Sequence, residues 1–398
     1  SGFIGETMRR NDFRFFPLAH QDLHVLSWFT AYVKVWMLVS AAELIAIVVL
    51  CARFIRRMSS IDSKKGSGIL IITALLFMIY PSTAEGFFQL IYYERLLTLI
   101  FILYASSYLH YQKTNSTASF YSAFLYGLIG IFLKDIAAIL FIIPPVATMA
   151  FSLFGWEGKD EPWHSRDTKN WINNHRLELW LSTLIPIVIC IYIFLSLLPS
   201  TYMSQGAYSD SSESSFYFDW RFCFLMLLTS SRLIMAGLGH IRLQLIDSLN
   251  AASLSYAGAL FILVGFKSYS YLSLPVHLIT TLNIVWLWSS GLAPQLNQKL
   301  PWRVTAALGT TAAAAILIAE SNSSHPSFRG TVDWIQNRQA SWLGAYTKAS
   351  DLAREIKQSG DQVNIIYNRN SWFSRGRHLD RIKYDRLIEY NPYNNTFL

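Results

Sequence analysis

Two short stretches hold ionisable side chains where apolar residues dominate. PSTAEGFFQLIYYERLL places Glu85, Tyr93, Glu94 and Arg95 at the head of an apolar run. FLYGLIGIFLKDIAAILFIIPP places Lys134 and Asp135 between two apolar blocks with no turn residues around them. A charge within or at the end of a membrane segment is costly unless paired or wetted, so each of these is a candidate site residue. Arg offers a planar bidentate clamp and Lys a mobile point charge, and both suit phosphate oxygens. Carboxylates beside them can orient the cations or take a proton from an attacking hydroxyl. A plainer role is equally open, in which Glu94 and Arg95 snorkel to water at a helix start and Lys134 marks a helix end.

A third stretch, NDFRFFPLAHQDLHVLSWF, holds Asp12, His20, Asp22 and His24 ahead of the first long apolar block. On a helix the two histidines share a face with Asp22 between them, which fits a metal pair lacking its third ligand or an ordinary polar interfacial helix. An acid just ahead of a span can also serve as a general base. Arg232, His240 and His277 are further ionisable groups in or beside apolar blocks.

The elements that must position these residues are long and apolar. Of 398 residues, 53% are hydrophobic and 15% charged, and the apolar ones fall in repeated blocks, so the fold class expected is mainly α, a polytopic transmembrane helical bundle. Ten segments are long enough to span: 33–54, 68–82, 95–111, 119–134, 136–154, 178–198, 221–239, 249–266, 274–290 and 303–320. The domains expected are an N-terminal loop with interfacial helices at 1–32, the bundle at 33–320 and a small α/β domain at 321–398. The chain opens on Ser1 in a stretch that is neither signal peptide nor membrane helix, so a preceding segment is expected.

The formal charge of +8 does not argue for nucleic acid, because Lys and Arg are dispersed among the loops and the C-terminal tail. Their bias instead sets orientation. RFIRRMSSIDSKK is basic and belongs inside; residues 200–220 carry no Lys or Arg and belong outside. Strict alternation between them puts Glu85, Glu94, Arg95, Lys134 and Asp135 at external helix ends, with 1–32 and 321–398 also external. Pro81 followed thirteen residues later by Glu94 suggests a short or re-entrant helix at that face. In the tail, DWIQNRQASWLGAYTKASDLAREIKQ reads as one or two amphipathic helices, SGD as a turn and VNIIYNR as a strand. Cys51, Cys190 and Cys223 show no ligand spacing.

The stretch from IYYERLLTLIFILYASSYLHYQ through FYSAFLYGLIGIFLKDIAAILFIIPP resembles the polytopic GT-C glycosyltransferases, particularly bacterial members in which a Glu-Arg helix start precedes a Lys-acid pair by about forty residues. The resemblance covers residues 80–150 by motif and the remainder by architecture. It implies an integral protein of the bacterial inner membrane whose active face looks to the periplasm. It implies transfer of a sugar from a polyprenyl-phosphate-linked donor to a lipid or glycan acceptor, with inversion. Asp12 or Asp22 would be the general base, Arg95 and Lys134 the phosphate contacts, and Glu85, Tyr93, Glu94 and Asp135 would line the substrate. No cofactor motif is present, and a divalent metal ion stays open. The competing class is a transporter or lipid flippase for glycolipid precursors; it expects paired interrupted helices in two halves, which the sequence does not show.

Overall fold

The computed structural model describes residues 17–19, 21–59, 67–90, 92–156, 168–198, 219–264, 270–322, 326–368, 382–391 and 395–397. A short helix α1 (Gln21–Phe29) leads into the long α2 (Val33–Met58). There follow α3 (Ser67–Phe77), α4 (Pro81–Phe88), α5 (Glu94–Thr114), α6 (Thr117–Ile131) and α7 (Ala138–Leu153). Next come α8 (Thr168–Asn174), α9 (Arg176–Ser182), α10 (Leu184–Tyr192), α11 (Trp220–Gly237) and α12 (Leu245–Val264). The set ends with α13 (Leu274–Trp286), α14 (Ala293–Asn297), α15 (Trp302–Ser321) and α16 (Phe328–Gln358). Wider π turns extend α10 over Ile193–Leu197 and α13 over Leu287–Leu292.

Where described, each of the ten apolar segments is mainly helical, with 68–82 broken ahead of Pro81. Among the described residues, Val33–Met58, Arg176–Leu195, Leu245–Ile262, Tyr271–Asn297 and Trp302–Ser321 are long and apolar enough to cross a membrane, the mark of an integral membrane protein. A sixth would be Gly68–Phe77 with Pro81–Phe88, if that bent pair is one span. The other segments fall short for local reasons. α6 and α7 have 15 and 16 residues, α11 carries Arg221 and Arg232, and α5 ends in His110, Gln112 and Lys113.

The bend between α3 and α4 is 82° and follows from Pro81. Pro has no N–H to give and forces the residue before it out of the helical region, so Tyr80 is extended and Pro81 begins a new helix. The short helix expected from the spacing is therefore present. Ser40 Oγ donates to Phe87 O at 2.9 Å and ties α4 to α2.

Interhelical contacts sort by bundle end. At one end Leu18 N donates to Phe132 O at 3.1 Å, and Tyr271 N donates to Glu85 at 2.8 Å. At the other, Ser59 Oγ bonds Ser289 and Ser290 at 3.0 and 2.7 Å, and Leu243 N donates to Trp156 O at 2.8 Å. The middle is apolar packing around α5 and α13. In α13, Leu274 to Asn283 are all buried, including His277, Thr280 and Thr281. Its Asn283 exchanges two amide hydrogen bonds with Asn250 of α12, at 3.1 and 2.6 Å, so neither amide is left unpaired in an apolar interior.

The chain divides into compact units at Val332/Asp333, inside α16, twelve residues beyond the boundary drawn from composition. The second unit packs Ala353, Val363 and Ile382 under three strands. β1 (Asn364–Asn368) runs parallel to β2 (Arg386–Asn391), and β3 (Thr396–Phe397) is antiparallel to β2. The amphipathic segment is one continuous helix, and the turn after it is made by Gly360 at φ 88°, a left-handed conformation that glycine adopts without steric cost. Asp385 accepts from Val363 N at 2.8 Å and lies 3.5 Å from Lys357 Nζ; the backbone hydrogen bond, followed by the lysine's charge, lowers its pKa.

Two expectations follow. A Cβ on Gly130 would overlap the Phe141 ring, so Gly130→Ala should destabilise the α6–α7 hairpin by about 1–3 kcal/mol, read as a lower thermal midpoint in detergent. The Asp385 contribution is complete above the ordinary carboxylate range and is lost as pH falls through the lowered value, so Asp385→Asn should speed hydrogen exchange at Val363 at neutral pH and flatten its acid dependence.

Candidate functional site

Arg95 stands in the first turn of α5 with no exposed surface. Its Nη2 donates to Asp22 of α1, and its Nη1 lies 3.4 Å from Glu43 Oε2 of α2. Glu94, one residue earlier and so rotated about 100° around the helix, faces elsewhere. Its Oε1 accepts from Lys134 Nζ at 2.8 Å, and both groups are buried. Adjacent opposite charges in the sequence are thus not partners of each other. Each is matched by a group from a different element.

Tyrosines wall the pair. Lys134 Nζ lies 5.7 Å from the centre of the Tyr93 ring, a cation–π distance. Tyr92 stacks on Tyr271 with centroids 3.7 Å apart, and Tyr271 N is held by Glu85 Oε2. Tyr256 donates to Leu272 O at 3.3 Å. Asp135 accepts from Ile136 N at 2.9 Å and is close enough to Tyr93 and Tyr256 to act on them electrostatically.

Asp22, Glu43, Glu85, Glu94 and Asp135 therefore share one end of the bundle with Arg95 and Lys134. The carboxylates outnumber the cations. Several polar atoms here are buried without a hydrogen-bond partner: Asp22 Oδ1, Glu43 Oε2, Glu94 Oε2, and Arg95 Nε and Nη1. Glu43 Oε2 and Arg95 Nη1 face each other at 3.4 Å, which leaves Asp22 Oδ1, Glu94 Oε2 and Arg95 Nε as unpartnered hydrogen-bonding capacity of a kind native interiors rarely keep. Chemically, the site offers cations for an anion and carboxylates for hydroxyls.

Of the residues expected from sequence, Asp22, Glu85, Tyr93, Glu94, Arg95, Lys134 and Asp135 come together here. Asp12 and His20 lie outside the described residues. No group of three His, Cys, Asp or Glu side chains able to hold a metal occurs among the described residues. Arg232 is elsewhere, paired with Asp247 at 2.5 and 2.9 Å, and His240 is exposed. The sequence survey passed over Glu43, although a lone acid in VSAAELIAIVV was the available signal. Tyr256 and Tyr271 gave none, being two of twenty-one tyrosines.

A second arginine is locked. Arg221 donates to Asp219 at 2.9 Å, Glu320 at 2.6 Å and Ile79 O at 3.2 Å, and its guanidinium lies over the rings of Tyr80 and Trp220 at 5.3 and 5.6 Å. Tyr80 stacks on His277 at 4.3 Å, and His277 Nδ1 bonds Ser82 Oγ at 2.6 Å. This clasp fixes the start of α11 to the end of α15 and to the α3–α4 bend.

No protein-family model, curated protein or solved structure matches the chain.

Removing one member of a buried ion pair strands the other. Lys134→Met should therefore cost about 3–5 kcal/mol, whereas Glu94→Gln with Lys134→Met should recover most of that loss. Thermal unfolding of the two single variants and the double variant measures the coupling directly.

Proposed function

We propose that the chain is a membrane glycosyltransferase of the GT-C kind, transferring a sugar from a polyprenyl-phosphate donor to a lipid or glycan acceptor. The observation that carries this reading is the clustering of Arg95, Lys134, Asp22, Glu43 and Glu94 with four tyrosines at one end of an apolar bundle. A lipid-linked substrate also needs a route from the bilayer. Trp28 at the end of α1 and Tyr32 just beyond it are exposed, and amphipathic rings of this kind settle at a bilayer surface.

In this reading the ten helical segments are ten crossings. The site lies on the periplasmic face of the bacterial inner membrane. Contacts that join residues 22, 85, 95, 134 and 271 at one end and 59, 156, 243 and 289 at the other are what such alternation requires. The acceptor oxygen attacks the anomeric carbon as the carbon–oxygen bond to the lipid phosphate breaks, which inverts the centre. Asp22 takes the acceptor proton, and Arg95 and Lys134 meet the negative charge that gathers on the departing phosphate. Glu94 aims Lys134, and Glu85 holds Tyr271 in the aromatic wall.

A carrier for glycolipid precursors is the second reading. The pairing of Arg95 and Lys134 with carboxylates favours it, because buried pairs of this kind also serve proton and ion pathways.

Purified protein given polyprenyl-phosphate sugar should transfer it, and Asp22→Asn and Arg95→Gln should each lower the rate by about 10²-fold or more. Full activity in both variants would sink the assignment. Counterflow of donor across vesicles without transfer would identify the carrier.

A further inference from the structure

The proposed reaction needs Arg95 on a phosphate and Asp22 on a proton, yet in the structure these two groups hold each other. Resting on that reading, we infer that α1 is a strap closed over the site by the Asp22–Arg95 pair, and that a phosphate headgroup opens it by drawing Arg95 away from Asp22.

The strap is lightly attached. None of the nine residues of α1 is fully buried, whereas just before it Ala19 is buried and Leu18 N bonds Phe132 O. Beyond it, Trp36 Nε1 donates to Thr30 O at 3.1 Å and fixes the turn into α2. Both ends are thus anchored while the helix between them presents Asp22 inward and Trp28 and Phe29 outward. Elements with few buried side chains are those that open locally.

Arg95 is equipped for an exchange of partners. Its Nε has no hydrogen-bond partner and shares an edge of the guanidinium with Nη2, so a phosphate can take Nε first and Nη2 as the Asp22 bond is released. Glu43, 3.4 Å from Nη1, stays in place on α2 throughout. The guanidinium is never left without a counter-charge, and the exchange avoids the cost of a bare buried cation. Once freed, Asp22 becomes available as the base only when a donor is already bound.

The full chain in lipid nanodiscs tests this by hydrogen exchange over residues 21–29, with binding of labelled polyprenyl phosphate measured in the same samples. Polyprenyl phosphate should speed exchange of α1 about tenfold, and unphosphorylated polyprenol should leave it unchanged. Asp22→Asn should exchange fast without ligand and gain nothing on adding it. Arg95→Lys, which keeps the charge but loses the fork, should bind the lipid and open less. Opening by inorganic phosphate alone would support the same switch with free phosphate as its trigger. Binding of polyprenyl phosphate with unchanged α1 exchange overturns the strap and leaves the transferase reading standing, whereas absence of binding removes both.

Discussion

A guanidinium with no exposed surface must find its counter-charge inside the protein, and Arg95 imposes that requirement on everything around it. Its position at the start of α5 is fixed by the helix, so the acids have to come to it. Asp22 arrives on α1 and Glu43 from within α2, which places the N-terminal segment across the end of the bundle. Glu94, one residue away and facing another direction, draws in Lys134 and with it the tight turn between α6 and α7. Neutralising two buried cations thus joins α1, α2, α5 and the Lys134 turn at one place.

Arg95 and Arg221 show how the same side chain serves different ends. Arg221 gives both terminal nitrogens to Asp219, Glu320 and the Ile79 carbonyl, leaving only its Nε without a partner, and it clasps the start of α11 to the end of α15. Arg95 gives only Nη2 to a hydrogen bond, while its Nη1 faces Glu43 at 3.4 Å and its Nε has no partner. An arginine whose terminal nitrogens are both hydrogen-bonded can offer them to a ligand only by breaking structure. An arginine with idle donors can accept one first and rearrange afterwards.

Much of the helical layout was legible because long apolar runs have few alternatives, and the bend at Pro81 was legible from the chemistry of proline. The members of the charged cluster were legible individually for the same reason: charges are rare in such runs. Who pairs with whom was not, because it depends on helix rotation; the adjacent Glu94 and Arg95 look like natural partners and are not. Glu43 stood in plain view as a lone acid among apolar residues. Asp219 and Glu320 lie at the edges of their blocks, where an acid is unremarkable until Arg221 is seen between them. The unit boundary fell later than composition suggested because the polar stretch after residue 320 and the first residues of α16 belong with the first unit.

The buried polar face of α13 bears on how the protein is made. With His277, Thr280, Thr281 and Asn283 along it, this helix is poorly suited to stand alone in lipid, and its amide partner Asn250 sits on the helix just before it in the chain. The helices it packs against in the first half, α2, α3, α4 and α5, are already synthesised when it leaves the ribosome. Biogenesis can therefore deliver α12 and α13 as a pair into a bundle with a place prepared for them. The order in which the helices emerge can thus supply partners for the polar groups of this segment before they have to face lipid.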